Sequence, residues 1–445
     1  MKIVPDATNA RSTAKQFVYF LLISTVVILS ILLTFIFFPS KSPENSSLLL
    51  KKIYYVDNIS KAHQKIIDRF NEIYKEQIQV MPIDIPFEKF STNRRKELLA
   101  RFLRSKSDRI DIIAVDQIWI PRFTKWTVPL EKLLSDSTRN NLLNHVLASC
   151  IHNDTLYASP LYLDISLMFY REDLLRKSEH FDSLKSKLEN SITWEDFISI
   201  GQIESPYFLF QADDYEGLTG IFIEMLNSLS YQFIKSGKID LTSAEPKKAL
   251  ELLVNLVNKN KVSPQDVSSY KENDSYIDFI NNERVFLRGW PGFKKENKDL
   301  LIERGIYDYI KFIPNPHFEG GKKVSIFGGW NLMISKFSQN KKESALFVEF
   351  SSSVEAQKIL FEVGGFLPTN KNLYSDAEFL SAHPELAFYS KLIESGVYRP
   401  SLEYYTRISD IISDNLNKAI KGEINVDEAL INAEKKINTE IDTIR

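Results

Sequence analysis

Residues 17–38, FVYFLLISTVVILSILLTFIFF, run for 22 positions without a charge, and the rest of the chain has to be placed relative to them. A bilayer-spanning helix needs about 20 consecutive apolar residues, so the run reads as a transmembrane segment. Lys2, Arg11 and Lys15 precede it, and the positive-inside bias then puts residues 1–16 in the cytoplasm and the chain after Phe38 outside. The rival reading is a cleaved signal peptide, whose apolar region is about 7–15 residues long and ends at small residues. Here the run is longer and closes on Phe37-Phe38-Pro39-Ser40. The single cysteine, Cys150, lies too far downstream to take a lipid at the membrane. The expectation is a retained, single-pass signal-anchor in the cell membrane, a linker at 39–47 (PSKSPENSS) and an extracytoplasmic globular part.

The globular part, from residue 48, is long enough for two domains. Acidic and basic residues nearly cancel, to a net charge of −2, which gives no whole-protein reason to expect nucleic acid as a partner. Cys150 has no intrachain disulfide partner, and the six histidines fall singly without metal-ligand spacing. No phosphate-loop, nucleophile-elbow or dinucleotide fingerprint is present. No cofactor, no metal and no enzymatic activity are therefore expected.

Periodicity suggests how the globular part begins. IYYV at 53–56 is a short apolar strand, and Ile66, Ile67, Phe70, Ile73 and Tyr74 recur at helical spacing. IQVMPIDI at 78–85 reads as a second strand, Leu98, Leu99, Phe102 and Leu103 as a helix, and IDIIAV at 110–115 as a buried third strand. Such alternation predicts a mainly parallel sheet covered by helices. Further on, Thr193 with Asp196 and Ser352 with Glu355 fit helix starts. Apolar stripes follow at Phe222–Phe233, ended by Gly237, at Leu252–Val257 and at Leu430–Ile441.

FGGWNLMIS at 327–335, followed by SSSVEAQKILFEVGGFLPTNKNLY at 351–374, carries the strongest resemblance. IDIIAVDQIWIPRF (110–123), ASPLYLDISLMFYREDLL (158–175), ITWEDF (192–197), ERVFLRGWPGF (283–293) and RPSLEYYTRISDII (399–412) add to it in order. Together they resemble the family 1 extracellular solute-binding proteins of ABC importers, particularly the trehalose/maltose-binding branch, over nearly everything after residue 50. The resemblance implies an α/β, type II periplasmic-binding-protein fold with two discontinuous lobes, 48–160 with 327–365 and 161–326 with 366–445. Hinge crossings would fall near residues 160, 326 and 366. It also implies a carbohydrate ligand and ABC transporter permease subunits as partners, while the uncharged run at 17–38 implies attachment to the membrane through the N-terminal helix.

Sugars present apolar C–H faces to aromatic rings and hydroxyl edges to charged or polar groups. Asp116 follows a buried strand, where ligands of open α/β sheets bind, with Trp119 three residues on; a turn or helix-cap aspartate is the structural alternative. Tyr162 and Asp164 match the family's hinge-strand pair. Trp290 and Trp330 match its stacking tryptophans, against the alternative of core packing, and the resemblance implies that they lie on the second and first lobes respectively. Gly329 beside Trp330 permits close backbone approach to ligand. Arg399 matches a sugar-binding arginine, and Arg94 or Arg95 offers a second; a solvated surface charge is the alternative for each. Close relatives carry an aromatic residue where this chain has Gly292. A glycan-acting enzyme, from paired carboxylates near aromatics, and a sugar-sensing module regulating a partner receptor remain the competing readings.

Overall fold

The computed structural model describes residues 50–444 except 87–88, 91, 107–108 and 201–202, together with Thr25. The expected anchor at 17–38, Thr25 aside, and the linker at 39–47 lie outside the described residues. Among the described residues no helix is long and apolar enough to cross a membrane.

Strand β1 (Lys51–Asp57) turns Ile53, Tyr55 and Val56 into the core. Helix α1 (Lys61–Ile73) starts where the Ser60 hydroxyl accepts the His63 amide, and it buries Ile66, Ile67 and Phe70. Strand β2 (Ile78–Asp84), helix α2 (Thr92–Arg104) and strand β3 (Ile112–Asp116) complete a βαβαβ unit. Both β2 and β3 lie parallel to β1, on opposite sides of it. Every residue of β3 is buried, as expected of a central strand covered on both faces.

The next two strands mark a change of sheet. β4 (Ser159–Ile165) belongs to the first sheet, β5 (Leu167–Arg171) to the second, and only Ser166 separates them. β6 (Phe208–Leu209) is followed by three helices, α3 (Glu216–Ser228), α4 (Ala244–Asn258) and α5 (Glu272–Asn281), and then by β7 (Phe286–Gly289) and β8 (Ile310–Ile313). The second sheet runs β8–β5–β7–β6, with β5 antiparallel to both neighbours. The chain returns to the first sheet as β9 (Ser325–Ile334), all ten of whose residues are buried. β9 lies antiparallel to β3 and to β4. The first sheet is therefore mixed where a mainly parallel one was expected, because a strand re-entering from the other sheet is not bound by the right-handed βαβ crossover.

Helices α6 (Lys341–Ser351) and α7 (Val354–Ile359) back the first sheet, and β10 (Gly396–Val397) pairs with the start of β9. Helices α8 (Tyr405–Ile420) and α9 (Val426–Ile444) pack on each other and on α4, and α8 also packs on α3. Two helix signals need correction. The α7 cap is Ser353, whose hydroxyl accepts the Ala356 amide, whereas Ser352 ends α6. Likewise α3 stops at Ser228, and Gly237 serves a tight turn between two short strands at φ 76°.

Candidate ligand-binding site

A cavity of about 970 Å³ opens between elements of the two sheets. The first sheet contributes Asp116 from the end of β3, Tyr162 and Asp164 from β4, and Gly329 and Trp330 from β9. The second sheet contributes Trp290, just past β7, while Arg399 arrives on the loop after β10. Exposed Arg94 of α2 lies at the lining as well. Eight of the nine sequence-expected residues are thus brought to one cavity.

Trp119 is the exception. A 3₁₀ turn follows β3 and drives its ring inward, to 1% exposure, edge-on against Trp330 with centroids 5.4 Å apart. It supports the cavity wall from behind and does not line it. Asp116 unites its two readings: Oδ1 accepts the Ile118 amide at 3.2 Å, as a cap, and also the Arg399 guanidinium at 2.8 Å.

Arg399 is a buried bridge. Its second terminal nitrogen donates to Glu216 at the start of α3, again at 2.8 Å. Burial alone would lower the affinity of this guanidinium for its proton, but the Asp116 and Glu216 charges outweigh that and raise it. Glu216 also accepts the hydroxyls of Tyr405, at 3.0 Å, and Ser409. The wall therefore holds a fixed cation between two carboxylates through charge-assisted hydrogen bonds.

Asp164 differs from Asp116. Its Oδ1 is buried without a hydrogen-bond partner among the described residues. Burial first, then the charges of Glu296, Asp116 and Glu272, push this carboxyl well above the usual aspartate range. A carboxyl that retains its proton can donate to one hydroxyl and accept from another. Tyr162 stacks on Phe366 with centroids 4.2 Å apart.

The two tryptophans are held differently. Trp330 sits between the edge of Trp119 and the guanidinium of Arg95, which lies 4.3 Å from its centroid. Arg95 is 1% exposed and donates to the buried Asp57 at 3.0 Å. It is therefore neither a surface charge nor a lining residue; it fixes a ring that is. Trp290 reaches from the second sheet over β9, so close to Gly328 that a β-carbon there would meet the indole at 3.1 Å. Gly329 adopts φ 132°, and a β-carbon on it would lie 2.7 Å from the Tyr162 carbonyl oxygen. Gly292, where the resemblance implies a ring, has the Gly364 carbonyl oxygen 3.1 Å from its would-be β-carbon, so even a β-carbon there is tight.

Sequence reasoning missed Glu216 and Glu272, which start helices α3 and α5 and line the cavity. An acidic residue at the head of an apolar helix was the available signal, but it is equally a dipole partner.

Comparison with known proteins adds four findings. The family described as bacterial extracellular solute-binding protein matches residues 57–358. A Deinococcus radiodurans protein named as a probable ABC transporter-binding protein is 26% identical over 344 residues, 74% of this chain and 79% of that one. Maltose-bound MalE3 of T. maritima has a TM-score of 0.77 at 27% identity, covering 88% of this chain and 100% of its own. The GacH receptor of Streptomyces glaucescens, known unliganded and with acarbose, has a TM-score of 0.74 at 18% identity, covering 88% and 99%, and speaks to the fold alone.

Proposed function

From a chain that belongs to the family of bacterial extracellular solute-binding proteins and has their type II periplasmic-binding fold, we propose a protein that captures a di- or oligosaccharide and delivers it to an ABC importer. The observation that carries this reading is one cavity receiving Trp290 from the second sheet and Trp330 from the first, beside Asp116, Asp164 and Arg399. Rings offer faces to sugar C–H groups, and the charged groups offer partners to hydroxyls. At about 970 Å³ the cavity stands near the top of the roughly 300–1,000 Å³ range of small-molecule sites, which favours more than one sugar unit. The relative bound to maltose is consistent with that size.

The proposed lobes are residues 48–160 with 327–365 and 161–326 with 366–445; the chain changes sheet at Ser166 and again at Ser325, within a few residues of two of these crossings, although Gly396–Val397 pairs in the first sheet. The anchor at 17–38 tethers the binding part outside the membrane, within reach of permease subunits. Tethering raises the effective concentration of loaded cleft. N-terminal sequencing of membrane-extracted protein is expected to return the intact N-terminus; a mature terminus beyond Phe38 contradicts the anchor.

Binding is favoured over hydrolysis because Asp116 is tied to Arg399 at 2.8 Å and so is not placed as a free acid or nucleophile. Incubation with labelled maltose and longer maltodextrins tests both readings. Retention of unchanged sugar is expected, and turnover contradicts it.

A further inference from the structure

The chain passes between sheets at Ser166 and returns at Ser325, and one buried carboxylate meets both passages. The Ser166 amide donates to the Ile326 carbonyl at 3.0 Å. The Ile326 amide donates in return to the Ser166 hydroxyl at 2.9 Å and to Glu224 Oε2 at 3.0 Å. The Ser166 hydroxyl donates to the same Glu224 oxygen and accepts from Asn315 at 3.0 Å. Glu224 comes from α3, 6% exposed, and Ser166 is fully buried.

The same oxygen of Glu224 faces Arg288 of β7 at 3.4 Å. Arg288 is 4% exposed, and its guanidinium carbon lies 5.6 Å from the centroid of Trp290, two residues on. A cation at that distance is attracted to the ring face. The ring in turn rests over Gly328 of β9, two residues past Ile326. A closed path therefore runs from the interlobe passages through Glu224 and Arg288 to Trp290 and back onto β9.

We propose that Arg288 and Glu224 are positioning residues: Arg288 fixes the Trp290 indole over the cleft, and Glu224, acting through Arg288, ties that ring to both passages between the lobes. Ring presentation and lobe angle are then set together. A ligand stacking on Trp290 acts on the hinge through a fixed arm, with no movement of the ring on its own. The inference about ring position does not depend on what the cleft binds; its consequence for ligand rests on the sugar-binding reading above.

The test is fluorine NMR of the full chain in detergent, with 5-fluorotryptophan at all five tryptophans and Trp290→Phe identifying the Trp290 signal. Arg288→Met and Glu224→Gln are each expected to move that signal while leaving those of Trp119, Trp126 and Trp330 in place. Glu224→Gln retains an oxygen for the Ile326 amide, so it separates loss of charge from loss of the fold. Arg288→Lys is expected to restore the signal part of the way. An unmoved Trp290 signal in both variants overturns the proposal, and so does a spectrum in which all signals move alike. Maltose titration supplies the second arm: Arg288→Met is expected to weaken binding about 3- to 30-fold, the scale of a partly desolvated cation–π contact. In a Trp290→Ala background it is expected to change binding less than about twofold, since the coupling partner is gone. Equal losses in both backgrounds overturn the coupling. If the unmodified chain does not bind maltose, the sugar reading fails for that ligand and the fluorine spectra alone decide the positioning.

Discussion

Asp57 supports the first-sheet wall of the cleft although it does not line the cleft. It is 3% exposed and accepts from Arg95 and from the Tyr55 hydroxyl, and Arg95 lies over Trp330. Removing it takes away the carboxylate that lies 3.0 Å from a buried guanidinium, a loss of about 3–5 kcal/mol. Urea unfolding of Asp57→Ala is expected to show that loss, and a change below about 1 kcal/mol, the scale of a surface pair, contradicts it. Asp164 works in the opposite sense. Burial and like charges hold its proton in the folded chain above the ordinary value of 3.8. Unfolding therefore releases a proton within that window, and ionising the residue costs stability as pH rises through it. Asp164→Asn is expected to raise the urea midpoint at neutral pH and to lose the advantage below pH about 4, near the ordinary aspartate value. The same gain at both pH values contradicts the raised pKa.

At the scale of elements, the periodic start was legible and the direction of the return strand was not. β1, α1, β2, α2 and β3 fall where residues 53–115 alternate between strand and helix spacing. The antiparallel direction of β9 could not be read, because a strand buried on both faces shows a continuous apolar run whichever way it points. Caps had the same ambiguity: SSSVEA at 351–356 offers adjacent serines, and only the backbone shows that Ser353 starts α7 while Ser352 closes α6. Ser353→Ala is expected to cost about 1 kcal/mol by thermal or urea unfolding. An unchanged midpoint contradicts its capping role. Trp119 and Trp330 illustrate the limit at the site. Trp119 follows a strand and Trp330 lies inside one; the 3₁₀ turn after β3 sends the first inward, while the second lines the cavity from β9. Glu216 and Glu272 reach the cavity only because α3 and α5 begin there, which spacing along the chain does not reveal.

For the whole molecule, the cleft draws on two sheets that the chain enters and leaves repeatedly, and its most informative feature is that each sheet brings one tryptophan. A ligand that touches both rings favours the arrangement in which the rings are close, since it can shift a conformational balance only through contacts that differ between states. Closure of periplasmic binding proteins around ligand is an established hinge motion. Trp290 and Trp330 are therefore expected to behave as binding hot spots and not solely as core. Calorimetric titration of maltose and longer maltodextrins into the unmodified chain, Trp290→Ala and Trp330→Ala, with folding checked by circular dichroism, tests this most directly. Each substitution is expected to weaken sugar binding by about 1–3 kcal/mol while the fold persists, whereas wild-type affinity in both folded variants would place the rings in the core and contradict the cleft described here.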